Sequence, residues 1–106
     1  MNKSLPNLKD PQHHRLAAAY AAQLQRERYS RQTVRNYTNH FIKFLQYCDT
    51  RTPADLGYEE VFEFIENQSK RGLSVSTINV LSYSIRYYYE RVHRKPHPAA
   101  TLVYRK

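Results

Sequence analysis

The chain has 106 residues, with 17 Lys plus Arg against 9 Asp plus Glu, a formal net charge of +8 and a pI near 9.8. That balance implies an anionic partner, while 41% hydrophobic residues suffice for a single-core domain and exclude wholesale disorder. Two Gly and five Pro beside ten Tyr and four Phe provide too little turn chemistry for many short strands and ample aromatic area for helix packing, so an all-β fold is disfavoured.

Residues 1–12, with Pro6 and Pro11 and no periodic pattern, read as a flexible leader. From about Gln12 to Arg28, Leu16, Tyr20 and Leu24 recur at steps of four beside Ala17 and Ala21, which predicts helix 1. Helix 2 is predicted to start at Ser30, whose hydroxyl can cap the first turn, and to run through Cys48. Its apolar positions Val34, Tyr37, Phe41, Phe44, Leu45 and Cys48 fall within roughly a 100° arc, the width of a core-facing stripe. The opposite face carries Gln32, Arg35, Asn36, Asn39, Lys43 and Gln46 and is polar and basic.

Beyond a connection containing Arg51, Thr52 and Pro53, helix 3 is predicted over Tyr58 to about Lys70, with Val61, Phe64, Ile65 and Gln68 as its stripe. Asp55, Glu59, Glu60, Glu63 and Glu66 are five of the nine acids, and several lie where they complement the helix dipole. Gly72 supplies the left-handed residue that ends such a helix. Helix 4 is predicted from Ser74, with Ile78, Leu81, Ile85, Tyr88, Tyr89 and Val92 inward and Pro96 ending it. Helices 2 and 4 repeat one design at an offset of 44 residues, with Tyr29/Leu73, Ser30/Ser74, Thr33/Thr77 and Val34/Ile78 in matching places. Ser is the cap, and the residues before and four after it form a hydrophobic staple that sets how the chain enters each helix. Lys95 to Lys106 reads as a linker.

The residues that could carry catalysis or bind metal are few. The single cysteine, Cys48, excludes an internal disulfide and a thiolate zinc site, fits a reducing compartment and belongs to the helix 2 stripe. His93 and His97 are four apart but Pro96 separates them, and His13 and His14 read as solvated. The glutamates of helix 3 read as a solvated acidic face. There is no Gly-rich phosphate loop, and no run of signal-peptide or membrane-spanning character. The basic features are more telling. Arg26, Arg28 and Arg31 cluster at the start of helix 2, and Lys70 and Arg71 precede helix 4. The outward residues include Arg35, Asn36, Asn39 and Lys43 on one helix and Ser76, Asn79, Tyr83, Arg86 and Tyr87 on the other. Cations interleaved with amides, hydroxyls and tyrosines suit combined phosphate and base-edge contacts.

The succession is Tyr20 and Leu24; Tyr29-Ser30, Thr33-Val34, Tyr37, Phe41 and Phe44; Leu56, Val61 and Phe64-Ile65; then Leu73-Ser74, Ser76 to Asn79, Leu81-Ser82 and Tyr87-Tyr88-Tyr89. In order and spacing it resembles the N-terminal core-binding domain of phage-integrase-type tyrosine recombinases over about Leu16 to Pro98. The stretch from Arg51 through Asp55 and Glu60 to Val61 is similar to the Xer and integron-integrase branches. The resemblance implies an all-α, four-helix, SAM-like orthogonal bundle that closes over one face of duplex DNA while a C-terminal catalytic domain grips the other. It implies that helices 2 and 4 lie in or beside the major groove. Arg31, Gln32, Arg35, Asn36 and Asn39 are then DNA-binding on the first, and Ser76, Thr77, Asn79, Tyr83 and Arg86 on the second. Arg28, Lys43 and Arg71 complete the expected DNA-binding set.

The family cleaves DNA with a tyrosine assisted by two arginines, a histidine in an H-x-x-R motif and a lysine, all in its catalytic domain. No histidine here has an arginine three residues on, so this chain is expected to bind and not to cut, with no cofactor and no metal. Residues 1–12 are then the leader, 13–95 the core-binding domain and 96–106 a linker toward an absent catalytic domain. The expected partners are double-stranded DNA and other recombinase protomers, without a membrane, in a cytoplasmic, nucleoid-associated setting of bacterial, archaeal or phage origin. The alternative is a helical protein–protein interaction module that uses acidic helix 3 and the basic faces.

Overall fold

The computed structural model describes Leu8 and residues 10–104. Four helices carry the fold: α1 (Pro11–Arg26), α2 (Arg31–Cys48), α3 (Tyr58–Lys70) and α4 (Val75–Tyr87). No strand occurs among the described residues, as the scarcity of turn residues predicted.

The starts of α2 and α4 match the expected caps and each other. Ser30 Oγ accepts from the Thr33 N–H at 3.1 Å, and Ser74 Oγ accepts from the Thr77 N–H at 3.1 Å. The two serine hydroxyls also reach the threonine hydroxyls at 2.9 and 3.0 Å, so both helices satisfy an otherwise free amide in the same way. At the end of α3, Gly72 adopts φ +92°, the conformation that a side chain would strain.

The core is built on aromatic rings. Tyr20 of α1 stacks on Phe41 of α2 at 4.3 Å and donates its hydroxyl to the Ser84 carbonyl of α4 at 2.7 Å, tying three helices at one fully buried side chain. Val34, Phe41, Phe44, Leu45 and Cys48 are buried as expected, whereas Tyr37 is half-buried. The stripe is also wider than expected, because α2 packs against both α1 and α4, which buries Thr38 and Ile42. Burial pushes the Cys48 thiol up to about 12, so it behaves as a small hydrophobic group.

Five expectations need correction. Helix α1 begins at Pro11 because Asp10 caps it, accepting from the Gln12 N–H at 2.9 Å ahead of a proline in the first helical position. The predicted leader therefore gives up its last residues to the fold, and Leu8 is buried with its carbonyl bonded to the His14 ring; Met1–Asn7 and Lys9 lie outside the described residues. His13 is not solvated. It is 3% exposed and its Nε2 bonds the Arg51 carbonyl at 2.8 Å, anchoring α1 to the α2–α3 connection.

Helix α4 does not run on to Pro96. Its α-helical part ends at Tyr87, a wide π-helical turn spans Tyr88–Val92, and Arg94 at φ +66° breaks the run. Tyr87, expected outward, is 1% exposed. Three consecutive tyrosines point in three directions and all are buried because α1, α2 and the segment around Pro53 each supply a neighbour to one of them. Tyr87 meets Tyr20 and Tyr29, Tyr88 stacks on Phe41 at 4.8 Å, and Tyr89 donates to the Pro53 carbonyl at 2.7 Å.

The predicted linker is also part of the fold over Pro98–Thr101, a 3-10 turn, and Leu102. Ala99 and Leu102 are buried, and His97 stacks on Tyr89 at 4.1 Å. Two prolines and no periodicity hid a strap that closes the core from the α3 and α4 side. Arg105 and Lys106 lie outside the described residues.

Candidate nucleic-acid interface

On α2, Arg31, Gln32, Arg35, Asn36 and Asn39 line one open hollow of about 580 Å³, and all five side chains are exposed. The spacing i, i+1, i+4, i+5, i+8 places them on one helical face, the face left over once the apolar stripe is buried. Arg31, Arg35 and Asn39 also form one wall of a groove against α1, whose other lining includes Ala21 and Gln25 and whose base includes Tyr29, Val34 and Thr38. Gln25 escaped the sequence reading because only the packing of α1 on α2 brings it there.

The internal acids neutralise a different set of cations. Arg51 pairs with Glu60 at 2.7 Å, Arg91 with Glu27 at 2.7 Å and Arg86 with Glu90 at 3.7 Å. Among the described residues Arg28, Arg31, Arg35, Lys43 and Arg71 make no ion pair, so their charge is available to an external anion. Arg28 sits in the α1–α2 turn at φ +66° and is exposed.

The α4 half is less uniform. Ser76 and Asn79 are exposed. Thr77 is half-buried and engaged with Ser74 in the cap. Tyr83 is 39% exposed and packs edge-on against Tyr37 at 5.6 Å, and Tyr29 lies 6.2 Å from Tyr37, so tyrosines bridge α2 and α4. The hydrogen bond with Tyr29, and then desolvation, push the Tyr83 phenol up to about 12. Arg86 is half-buried and shares its charge with Glu90. Lys43 and Arg71, expected at separate places, line the same hollow between α2 and α3. Among the described residues no His, Cys, Asp or Glu group has the makings of a metal site, and no helix is long and apolar enough to cross a membrane.

These features define a small all-α domain whose exposed basic and amide-rich helix face is kept clear of the chain's own acids. The family model described as phage integrase, N-terminal SAM-like domain, matches residues 16–99, and the chain belongs to that family. Domains of this family act on DNA, and the match covers the N-terminal domain alone. No curated protein and no solved structure matches the chain.

Proposed function

We propose that this chain is the DNA-binding domain of a site-specific tyrosine recombinase, gripping duplex DNA through α2 and α4. The observation that carries the reading is the α2 hollow, where Arg31 and Arg35 stand without internal counter-charges beside Gln32, Asn36 and Asn39. Guanidinium groups hold phosphates and guanine edges, and the amides match adenine edges, so one face offers both positioning and base readout. On α4, Ser76, Asn79 and Tyr83 add neutral contacts, while Arg28 and Arg71 flank the two helix starts and Thr77 and Arg86 serve mainly to hold α4 in place. Strand cleavage belongs to another domain in this reading. Tyr87, Tyr88 and Tyr89 are buried, and burial pushes the Tyr88 phenol up to about 12, the opposite of what a nucleophile needs. A DNA partner also implies a cytoplasmic, nucleoid-associated location.

Titrating a labelled duplex by fluorescence anisotropy tests the reading. Contacts to four to six phosphates give a log–log salt slope of about −4 to −5 and micromolar or weaker non-specific affinity at physiological salt. Reversing charge at Arg31 and Arg35 abolishes binding while the far-ultraviolet spectrum stays unchanged. Absence of duplex binding by the wild-type chain at low salt would sink the proposal.

A second reading rests on α3. Tyr58 and Phe62 stack, Phe62 meets Tyr104 at 5.0 Å, and Glu59, Glu63 and Glu66 border them. We propose this acidic, partly aromatic surface as the side turned toward neighbouring protomers, since it repels DNA. Charge reversal of Glu59 and Glu63 would then alter self-association and leave duplex affinity nearly unchanged, the reverse of the α2 variants.

A further inference from the structure

An open hollow of about 770 Å³ lies between the C-terminal halves of α2 and α3. One wall is α2, with Lys43, Gln46 and Tyr47 a single turn apart. The other is α3, with Phe64, Asn67, Gln68 and Arg71 on one helical face. Tyr47 and Phe64 meet at 4.8 Å and form the floor, so Lys43 and the amides stand on helices over an aromatic base, with Arg71 in the turn just past α3. No acid lines the hollow, and neither Lys43 nor Arg71 has an internal ion-pair partner among the described residues.

We infer that the Lys43–Arg71 hollow is a separate seat for the sugar–phosphate backbone of duplex DNA, which makes α3 a third DNA-contacting helix. Two cations on opposite walls can take adjacent phosphates, while Gln46, Asn67 and Gln68 can donate amide N–H groups to phosphate or sugar oxygens. The chemistry fits backbone better than a protein segment, because the lining apart from the ring floor is cationic or amide and would leave an apolar partner poorly matched. The seat continues the α2 face, since Lys43 lies one turn beyond Asn39 on the same outward side. Its limit is also set on α3. Asn67 borders a second hollow that holds Glu59, Glu63 and Glu66, and carboxylates there turn a phosphate away. Glu60 and Glu63 also lie close enough to Tyr47 to act on its phenol, so the backbone is confined to the Lys43–Arg71 side of the floor.

This inference rests on the DNA-binding reading, and the test separates the two. The salt dependence of duplex binding is measured for wild type, Lys43→Ala/Arg71→Ala, Lys43→Arg/Arg71→Lys and Arg31→Ala/Arg35→Ala, with urea midpoints confirming that each is folded. Loss of two phosphate contacts lowers the magnitude of the log–log slope by roughly 2 in the double alanine variant, equally for duplexes of unrelated sequence. The charge-preserving swap keeps the wild-type slope. In wild type, duplex addition also shifts the backbone amide signals of Gln46, Tyr47, Asn67 and Gln68. A wild-type slope in the Lys43→Ala/Arg71→Ala protein, with a reduced one in Arg31→Ala/Arg35→Ala, overturns the inference alone. No duplex binding by the wild type overturns both. Binding of a polyglutamate peptide that the double alanine variant loses while keeping full duplex affinity overturns the inference in favour of an acidic protein partner.

Discussion

Glu27, just past the end of α1, is the residue on which several local forces converge. Its carboxylate accepts from Gln23 Nε2 at 2.6 Å and from Arg91 Nε at 2.9 Å, and the Tyr87 hydroxyl lies close to it. The Gln23 amide first, then Arg91 and Tyr87, hold the carboxyl below the usual carboxylate range against partial desolvation. A depressed native value means that the contribution is present in full above the ordinary value of 4.5 and is lost as the pH falls through the native one. Glu27→Gln therefore unfolds at lower urea than wild type, by an amount that is constant between about pH 8 and about pH 6 and narrows below about 4.5. A gap that widens on acidification would show that Glu27 is not the group responsible. Glu27 also joins the end of α1 to the wide turn after α4 through Arg91 and so steadies the α1–α2 turn that carries Arg28.

At the scale of the element, the starts of α2 and α4 and the ends of α2 and α3 were legible in the sequence, whereas the end of α4 was not, for a physical reason. A start is local chemistry: a serine hydroxyl within reach of an amide three residues on, with an apolar residue before it and another four after it. The 44-residue correspondence between Ser30 and Ser74 therefore survives into hydrogen bonds equal at 3.1 Å. Ser30→Ala and Ser74→Ala should each cost about 1 kcal/mol, and the glycine variants only a few tenths, in urea denaturation. Strongly unequal costs would show that the two caps sit in different surroundings despite their matched geometry. The end of α4, by contrast, is decided by what surrounds Tyr87, Tyr88 and Tyr89, and neighbours on α1, α2 and the strap are invisible to a periodicity count. The same distinction governs the site. The α2 face was legible because one helix's outward side follows from its buried side, whereas the placing of Lys43 and Arg71 in the same hollow depends on how α2 crosses α3.

For the whole molecule, the net charge of +8 conceals a division of labour. Acids at Glu27, Glu60 and Glu90 bind internal arginines, Glu59, Glu63 and Glu66 gather on α3, and the outer face of α2 is left cationic. Such a face is useful only if the bundle behind it is rigid, and the C-terminal strap contributes to that. His97 accepts the Ala99 N–H at Nδ1, 3.0 Å away, and so carries its proton on Nε2, which donates to the Leu56 carbonyl at 2.8 Å. That pair of bonds holds the strap against the chain before α3 while Leu102, 1% exposed, fills the core behind it. Leu102→Ala should cost about 2 to 3 kcal/mol, near the low end for a buried leucine because the irregular backbone after the 3-10 turn can relax into the vacated space. Deleting residues 97–106 should cost more, since it also uncovers Tyr89. Leu102→Ala, at temperatures where it remains folded, should keep the wild-type salt slope for duplex DNA, because it removes no charge and the strap packs on α3, α4 and the wide turn. Hydrogen exchange would read the stability loss across all four helices, whereas a protection loss confined to residues 97–104 would mean that the segment is an appendage and not part of the core.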